Sequence, residues 1–341
     1  MNIEKLQQTA QGMVAPGRGI LAMDESTPTC SKRFDKLGIP CTEDRRRSYR
    51  DMLVTTPGLG DYISGAILFD ETLRQSTLGG TPFAEYLQAQ GIIPGIKVDA
   101  GAKALAGHGK EKVTEGLDGL RERLAEYATM GARFAKWRAV ITIGAGMPSA
   151  ACSMANAHGL ARYAALCQEA DMVPIVEPEV LIDGDHTIER CFEVTRDVQQ
   201  MVFAQLTDQG VAMSGIILRP SMVIAGKDCA QQSTVQQVAE QTVRCLRETV
   251  PADVPGIAFL SGGQGDEEAT AHLNAMNRLG EKMPWAVTFS YGRALQAAAM
   301  EAWSGKSENV ARAQRVTLHR ARMNGAAASG EYASEMEQQV A

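Results

Sequence analysis

The 341-residue chain lacks an apolar run long enough to cross a membrane, and it lacks an excess of basic charge. Its net charge of −6 offers no electrostatic surface for nucleic acid or for an anionic membrane. The first residues carry Glu4 and have no apolar core, so we expect no signal peptide. These absences predict a soluble protein that binds neither nucleic acid nor membrane. Any phosphate group must then be bound by a few local cations.

Cysteine and histidine are present, but not in the patterns that form disulfide frameworks or bind metals. The seven cysteines are an odd number at irregular spacing without a C-x-x-C pair, which is typical of reduced thiols in a cytoplasmic protein. The five histidines never fall at metal-ligand spacing. The sequence therefore predicts no catalytic metal and a cytoplasmic location.

Eight short apolar segments recur along the chain, about 38 residues apart on average, and each ends in polar or charged residues. They lie at 19–26, 62–72, 91–99, 134–141, 173–180, 215–222, 256–264 and 285–293. Helical patterns lie between them, and strands that alternate with helices indicate a parallel sheet. The strands are apolar at almost every position, which indicates burial on both faces. With eight units and no Gly/Ser-rich linker, the sequence favours an α/β protein with a closed (β/α)8 TIM barrel over an open doubly wound sheet.

We predict one TIM-barrel domain over residues 1–341, with an N-terminal helix and a mobile C-terminal tail from about 325 to 341. The tail is small and polar in composition. Two of the intervening helices have clear sequence signals at their ends. One is predicted to begin with Thr81 as its N-cap, and another is predicted to open at Thr114 and to stop at Gly131.

The active site of such a barrel lies at the C-terminal ends of its strands. The polar residues at the predicted ends are Asp24, Asp70, Lys97, Asp99, Lys136, Arg138, Glu177, Glu179, Arg219, Ser261 and Arg293. Residues two apart on a strand point the same way, so Lys136 shares a face with Arg138. A single such pair could be a salt bridge on the rim. A whole ring of mixed charges around one mouth instead indicates a site that shifts pKa values for proton transfer.

Two loops suggest phosphate binding. SGGQGDEE (261–268) and FSYGRAL (289–295) offer hydroxyl groups, backbone amides and Arg293 in front of predicted helices. Phosphate sites in these barrels often form after the seventh and eighth strands, where a helix N-terminus meets the anion. A third cationic cluster, SKRF (31–34), follows the first strand.

Together these segments resemble the class I fructose-1,6-bisphosphate aldolases, which are metal-independent and act through a lysine Schiff base. The matching segments cover nearly the whole chain in the family's order: GRGILAMDEST, ILFDETLRQ, GIKVDAGAKALAG, FAKWR, VPIVEPEVLIDGDH, FLSGGQ and FSYGRALQAAAMEAW. The resemblance implies a (β/α)8 barrel, usually a homotetramer, that needs no cofactor. It also implies reversible cleavage of fructose 1,6-bisphosphate into dihydroxyacetone phosphate and glyceraldehyde 3-phosphate in glycolysis, with sugar phosphates as the small-molecule partners.

The resemblance also implies roles for individual residues. Asp24 matches the carboxylate that assists C–C bond cleavage, and Lys136 matches the lysine beside the Schiff base. Glu177 matches the general acid/base for forming and dehydrating the carbinolamine, with Glu179 next to it. The site of the ketose-end phosphate matches Ser261, Gly262, Ser290, Gly292 and Arg293. The residues that fall in or near the region that holds the other phosphate are Ser26, Thr29, Lys32, Arg33, Lys97 and Arg138.

The sixth strand departs from the family pattern at Arg219. In the family this strand ends in a lysine followed by proline, and that lysine is the Schiff-base nucleophile. A lysine in a cationic, partly desolvated pocket can lose its proton near neutral pH, whereas a guanidinium stays protonated and is a poor nucleophile. We therefore expect Arg219 to impair or abolish turnover. Many members of the family also end in a tyrosine that assists proton transfer, whereas the last tyrosine here is Tyr332.

Three hypotheses follow from these observations. The first is an aldolase scaffold that binds substrate but turns it over poorly because of Arg219. The alternative is a non-catalytic sugar-phosphate-binding or assembly protein, although a pure binder has little need for Asp24, Lys136 and Glu177. The third is an aldolase that recruits another lysine, with Lys136 favoured because Arg138 and Arg219 would lower its pKa.

Overall fold

Eight parallel strands close a barrel in the computed structural model, which describes residues 1–280 and 282–339. The barrel strands are β1 (Gly19–Ala22), β2 (Ile63–Leu68), β3 (Ile93–Lys97), β6 (Phe134–Ile141), β7 (Val173–Val180), β8 (Ile217–Leu218), β9 (Gly256–Phe259) and β10 (Ala286–Tyr291). Strands β4 (Ala102–Ala104) and β5 (Lys112–Thr114) form an antiparallel hairpin between β3 and β6. Each predicted segment contains one barrel strand, so the TIM-barrel prediction is confirmed.

Helices surround the barrel and follow the strands along the chain. They are α1 (Ile3–Met13), α2 (Thr27–Asp35), α3 (Glu43–Val54), α4 (Asp70–Leu73), α5 (Phe83–Ala89), α6 (Leu120–Thr129), α7 (Ala150–Glu169), α8 (Ile188–Asp208), α9 (Val235–Thr249), α10 (Asp266–Asn277), α11 (Arg293–Trp303) and α12 (Val310–Ala328). Short 3-10 turns lie at Leu59–Asp61, Met213–Gly215, Ser307–Asn309 and Ser334–Gln339. Local sequence explains the helix ends well: α9, for example, begins with a capping box between Thr234 and Gln237.

The barrel interior is apolar and is covered at one end by the N-terminal helix. Phe134, Ile175 and Ile217 belong to one fully buried cluster that also contains Leu6 and Met13 of α1. Helix α1 lies at the starts of the strands, since the hydroxyl of Ser64 in β2 donates to the carbonyl of Met13. The opposite, C-terminal end is therefore the one that remains for a site.

Two predicted helix starts are wrong. Thr114 ends strand β5, and its N–H donates to the side chain of Asn156 (3.2 Å), so α6 begins only at Leu120. Thr81 belongs to the turn before α5, where the N–H of Thr77 donates to its carbonyl at 2.8 Å, and Pro82 takes the N-cap position. In both cases contacts to other parts of the chain determine the conformation of a residue type that also favours helix starts.

The predicted tail begins inside a helix. Helix α12 continues to Ala328, and Ser334–Gln339 form a 3-10 turn. The side chain of Glu337 accepts from Nε2 of His319 at 2.9 Å and pairs with Arg320. The hydroxyl of Tyr332 also donates to Glu337, at 3.1 Å. The last two residues of the predicted tail, 340 and 341, lie outside the described residues.

Candidate active site

One cavity of about 210 Å³ opens at the C-terminal ends of the strands. Most of the residues predicted for the site line it: Asp24, Ser26, Thr29, Arg33, Lys97, Lys136, Arg138, Glu177, Glu179, Arg219, Ser261, Gly262, Gly292 and Arg293. The predicted residues that do not line it are Lys32, Asp70, Asp99 and Ser290; Asp70 pairs with Arg74, and Asp99 pairs with Lys97. The structure thus brings together residues from seven of the eight barrel strands or from the loops that follow them. The roles of these residues remain predictions.

Strand register explains why these charges meet. Lys97 of β3 lies opposite Lys136 of β6, and Arg138 of β6 lies opposite Glu177 of β7. Alternate residues of a strand share a face, so Glu177 and Glu179 point the same way. Cations on β6 therefore face carboxylates on β7.

The centre of the cavity is a buried network of ion pairs. Lys136 Nζ lies 2.7 Å from Asp24 Oδ2 and 3.4 Å from Glu177 Oε2. Glu177 also pairs with Arg219, and Arg138 pairs with Glu179. Asp24, Lys136, Glu177 and Arg219 are all at least nine-tenths buried. Charges that are removed from water in this way interact strongly and depend on one another's presence.

This network shifts pKa values in opposite directions for its two best-paired members. Burial alone would raise the pKa of Asp24, but the ammonium of Lys136 and the more distant charges of Arg219 and Lys97 lower it to about 2. Burial would lower the pKa of Lys136, but the carboxylates of Asp24 and Glu177 outweigh burial and Arg219, so this pKa is raised. Arg219 does lower the pKa of Lys136, as the sequence predicted, but the carboxylates outweigh it, so the expected net lowering is wrong. A lysine whose charged form is stabilised in this way is a poor nucleophile near neutral pH.

Arg219 follows the two-residue strand β8, and the protein contacts its guanidinium on all three nitrogens. Its backbone N–H donates to the carbonyl of Val176 at 2.8 Å, which extends the barrel ladder by one residue. Nε donates to Ser290 Oγ at 2.8 Å, Nη2 donates to the Ser290 carbonyl at 2.7 Å, and Nη1 pairs with Glu177. Ser290 itself is fully buried. The structure therefore places Ser290 behind Arg219 rather than on the cavity wall.

Two loops form one side of the cavity with groups suited to an anion. Ser261 and Gly262 follow β9, and Gly262 has a left-handed φ of 58° that glycine adopts without strain. Gly292 is the N-cap and Arg293 the first residue of α11, an 11-residue helix that starts at the cavity wall. A helix N-terminus and an arginine both favour negative charge, so this side fits a phosphate group.

The other side carries cations and hydroxyl groups after β1 and β3. Ser26 Oγ and Thr29 Oγ1 lie 3.2 Å apart at the start of α2. Arg33 pairs with Glu25, and Lys97 Nζ donates to the carboxylate (2.6 Å) and the carbonyl (2.8 Å) of Asp99. Positive charge therefore lies on both sides of the central network.

Glu25 was not predicted as a site residue, although it lines the cavity. Its side chain is 6% exposed and pairs with both Arg33 and Arg50. Its position directly after Asp24 was the available signal, because a strand end delivers neighbouring residues to the same mouth. Arg50 gave no such signal, since it lies within α3.

Two further features concern the described residues 1–280 and 282–339. They contain no group of three or more His, Cys, Asp or Glu side chains that could hold a metal ion. Within the same ranges, no helix has the length and apolar character that a membrane span requires.

The described residues form a (β/α)8-barrel protein with a buried network of ion pairs at the C-terminal ends of its strands, and the comparisons with known proteins show its family. The family model for glycolytic class-I fructose-bisphosphate aldolase matches residues 5–341. A probable fructose-bisphosphate aldolase class 1 from Xanthomonas campestris is 61% identical over 333 residues, which is 97% of this chain and 99% of that protein. The cytoplasmic isozyme of fructose-bisphosphate aldolase from Spinacia oleracea is 51% identical, over 96% of this chain and 92% of that protein.

A solved structure is similar over the same extent. Fructose-bisphosphate aldolase from Plasmodium falciparum, in complex with TRAP and a small-molecule inhibitor, superposes with a TM-score of 0.96 at 52% identity. The match covers 97% of this chain and 96% of that chain. The chain belongs to the class-I fructose-bisphosphate aldolase family.

Proposed function

We propose that this chain is a class-I fructose-bisphosphate aldolase whose site binds fructose 1,6-bisphosphate and its triose products, and that Arg219 impairs or abolishes turnover. The observation that carries the proposal is the contrast, within one cavity, between the ion-pair network and the residue at the nucleophile position. The network of Asp24, Lys136 and Glu177 is complete, but the position of the nucleophile holds a guanidinium that already contacts Glu177 and Ser290.

The chemistry of a Schiff-base aldolase needs a neutral amine. The amine attacks the C2 carbonyl of the ketose, and loss of water from the carbinolamine gives an imine. The C3–C4 bond then breaks as a base removes the proton of the C4 hydroxyl, and the imine takes up the electron pair. We assign the dehydration to Glu177 and assistance of bond cleavage to Asp24. Arg219 supplies no amine for the first step.

The cations on both sides of the network support a ligand with two phosphate groups. Ser261, Gly262, Gly292 and Arg293 would bind one phosphate, and the cluster of Ser26, Thr29, Arg33 and Lys97 would bind the other. Arg138, which the resemblance assigns to the second phosphate, lines the cavity and pairs with Glu179. This arrangement favours a bisphosphate-binding site even where bond cleavage is lost.

The test is Arg219→Lys, with Arg219→Met as a control that removes the charge without supplying an amine. We expect Arg219→Lys to raise the rate of fructose 1,6-bisphosphate cleavage by about 10³-fold or more, because a covalent nucleophile is restored among intact partners. Arg219→Met is expected to stay inactive. Borohydride with dihydroxyacetone phosphate should trap an adduct at position 219 only in Arg219→Lys.

The alternative is a non-catalytic sugar-phosphate-binding or assembly protein on the same scaffold. It would be favoured if Arg219→Lys binds fructose 1,6-bisphosphate in calorimetry and yet cleaves none. An adduct on Lys136 in the unaltered chain would instead show that the nucleophile has moved. The raised pKa of Lys136 argues against that outcome.

We further propose a cytoplasmic homotetramer. The seven cysteines are all free, which suits a reducing compartment, and the spinach relative is named as a cytoplasmic isozyme. Analytical ultracentrifugation of the purified chain tests the assembly state directly.

A further inference from the structure

A fully buried arginine lies just outside the cavity. Arg50, on helix α3, is 2% exposed and does not line the cavity wall. Burial of a guanidinium costs solvation free energy, so its partners are expected to be specific. Burial also tends to lower the pKa of Arg50, but the carboxylate of Glu25 outweighs it, and the side chain stays charged.

Arg50 donates to the two carbonyl groups that flank Asp24 in the chain, and its Nη1 also contacts Cys30 Sγ at 3.8 Å. Nε donates to the carbonyl of Met23 at 2.8 Å, and Nη2 donates to the carbonyl of Glu25 at 3.0 Å. Nη2 also lies 3.1 Å from the carboxylate of Glu25. The planar fork of one arginine therefore spans the three residues centred on Asp24.

This segment needs such support because it has left the strand. Strand β1 ends at Ala22, and the N–H of Met23 makes the last ladder contact, to the carbonyl of Ile67 at 3.1 Å. On the other flank, the buried side chain of Gln296 donates to the carbonyl of Ala22. Arg50 holds the carbonyl of Met23, the next one along the chain, and the carbonyl of Glu25 beyond Asp24.

Two cationic side chains that line the cavity each pair with a carboxylate of this segment. Asp24 reaches Lys136 Nζ at 2.7 Å, and Glu25 pairs with Arg33 on the cavity wall. A shift of the backbone between Met23 and Glu25 would move both side chains relative to the rest of the ring.

We propose that Arg50 is a positioning residue, whose fork holds the backbone on both sides of Asp24 so that Asp24 meets Lys136 and Arg33 faces the cavity. The inference rests on the proposed function, in which Asp24 assists C–C bond cleavage. It differs from a contribution to folding alone, because it predicts a changed pKa of Asp24 and a lower kcat in variants that still fold.

The test compares Arg50→Lys, which keeps the charge and most of the stem, with Arg50→Met, which removes the charge. Arg47→Lys is the matched control: Arg47 is on the same helix and donates to the carbonyls of Ser76 and Thr77, at 2.7 and 2.8 Å. In otherwise unaltered chain, carbon NMR titration of labelled aspartate follows the carboxyl of Asp24. We expect its pKa to rise by about one unit in both Arg50 variants and to stay unchanged in Arg47→Lys.

Kinetics in the Arg219→Lys background provide the second readout. We expect each Arg50 variant to lower kcat by about 10²-fold, since a displacement of about 1 Å at a reacting group has that effect. KM should rise as well, but by less, because Arg33 of the second proposed phosphate site pairs with Glu25, whereas the loops proposed for the ketose-end phosphate are separate from Arg50. Arg47→Lys should leave both constants unchanged.

The outcomes separate the possible roles of Arg50. If both variants lower the melting temperature while the Asp24 titration and kcat stay unchanged, Arg50 only supports the fold and the proposal is wrong. If Arg50→Lys keeps the original pKa of Asp24 and Arg50→Met does not, charge rather than position explains the effect, and the proposal is again wrong. If Arg50→Met does not fold, Arg50→Lys decides. If Arg219→Lys itself is inert, the proposed function fails, but the titration still tests Arg50.

Discussion

Glu177 is the carboxylate on which the central network depends most, and Glu177→Gln measures that dependence. Its side chain is 1% exposed and pairs with Arg219, with Lys136 at 3.4 Å and with Arg138 at 3.9 Å. Glutamine keeps the size of the side chain and removes its charge. Arg219 and Lys136, both buried, would then face a neutral amide, whereas Arg138 is 43% exposed and screened by water.

The expected loss of stability follows from the burial of these partners. Removing one member of a buried ion pair costs about 3–5 kcal/mol, because the remaining charge is left without compensation. An exposed pair is worth about 0.2–1 kcal/mol. We therefore expect Glu177→Gln to lower the free energy of unfolding by about 3–5 kcal/mol. The pKa of Lys136 should fall as well, since one of the two carboxylates that raise it is gone.

Urea unfolding at one fixed protein concentration, followed by circular dichroism, gives this free energy. Glu193→Gln is the matched control: Glu193 pairs with Arg190 at 2.9 Å on helix α8, and both side chains are about half exposed. The control should change stability by less than about 0.5 kcal/mol. In Glu177→Gln/Arg219→Met both partners are removed, so its loss should be smaller than the sum of the single losses. A loss below about 1 kcal/mol for Glu177→Gln would refute the reasoning.

Two other predictions concern pH and packing. The pKa of Asp24 falls from its ordinary 3.8 to about 2 on folding, so its contribution of about 2 kcal/mol is present above pH 3.8 and is lost as the pH falls towards 2. Asp24→Asn should flatten the pH dependence of the unfolding free energy in that window, and an unchanged slope would contradict the pairing with Lys136. Gly95→Ala should destabilise the barrel by about 2 kcal/mol or more, because its Cβ would lie 2.2 Å from the ring of Phe134. Gly159→Ala, where a Cβ on helix α7 has open space, should instead stabilise by about 0.5–1 kcal/mol, and equal thermal shifts for the two variants would be evidence against the packing account.

The barrel could be predicted from the sequence because each strand carries its own signal. A strand buried on both faces is apolar at nearly every position, as β7 is, and its end is marked by charge. Parallel strands bring those ends to the same edge, so Lys136 and Glu177 could be placed together before their distance was known. The two helix starts at Thr81 and Thr114 were missed because hydrogen bonds outside the helices, to Thr77 and to the distant Asn156, override local preference.

The electrostatic balance of the site could not be predicted from spacing. The sequence placed Arg138 and Arg219 near Lys136, which favoured a lowered pKa. It did not show that the carboxylates of Asp24 and Glu177 lie 2.7 and 3.4 Å from the ammonium and outweigh Arg219. Ser290 lies behind Arg219 because the long side chain of Arg219 extends to it, and periodicity in the sequence does not encode such a contact. Arg50 contacts the loop after β1 from inside a helix, so only its three-dimensional neighbours reveal it.

Helix α1 covers the barrel at the starts of the strands with apolar side chains, and this cover affects ligand exchange. Leu6 and Met13 pack into the same buried cluster as the interior residues of the barrel. A ligand therefore reaches and leaves the charged residues of the site at the loops that follow the strands. Substrate and product pass through the same opening, so a ligand bound there slows both substrate binding and product release. The rate of exchange is then a property of the loops after the strands, and substitutions there can change residence time without altering the barrel.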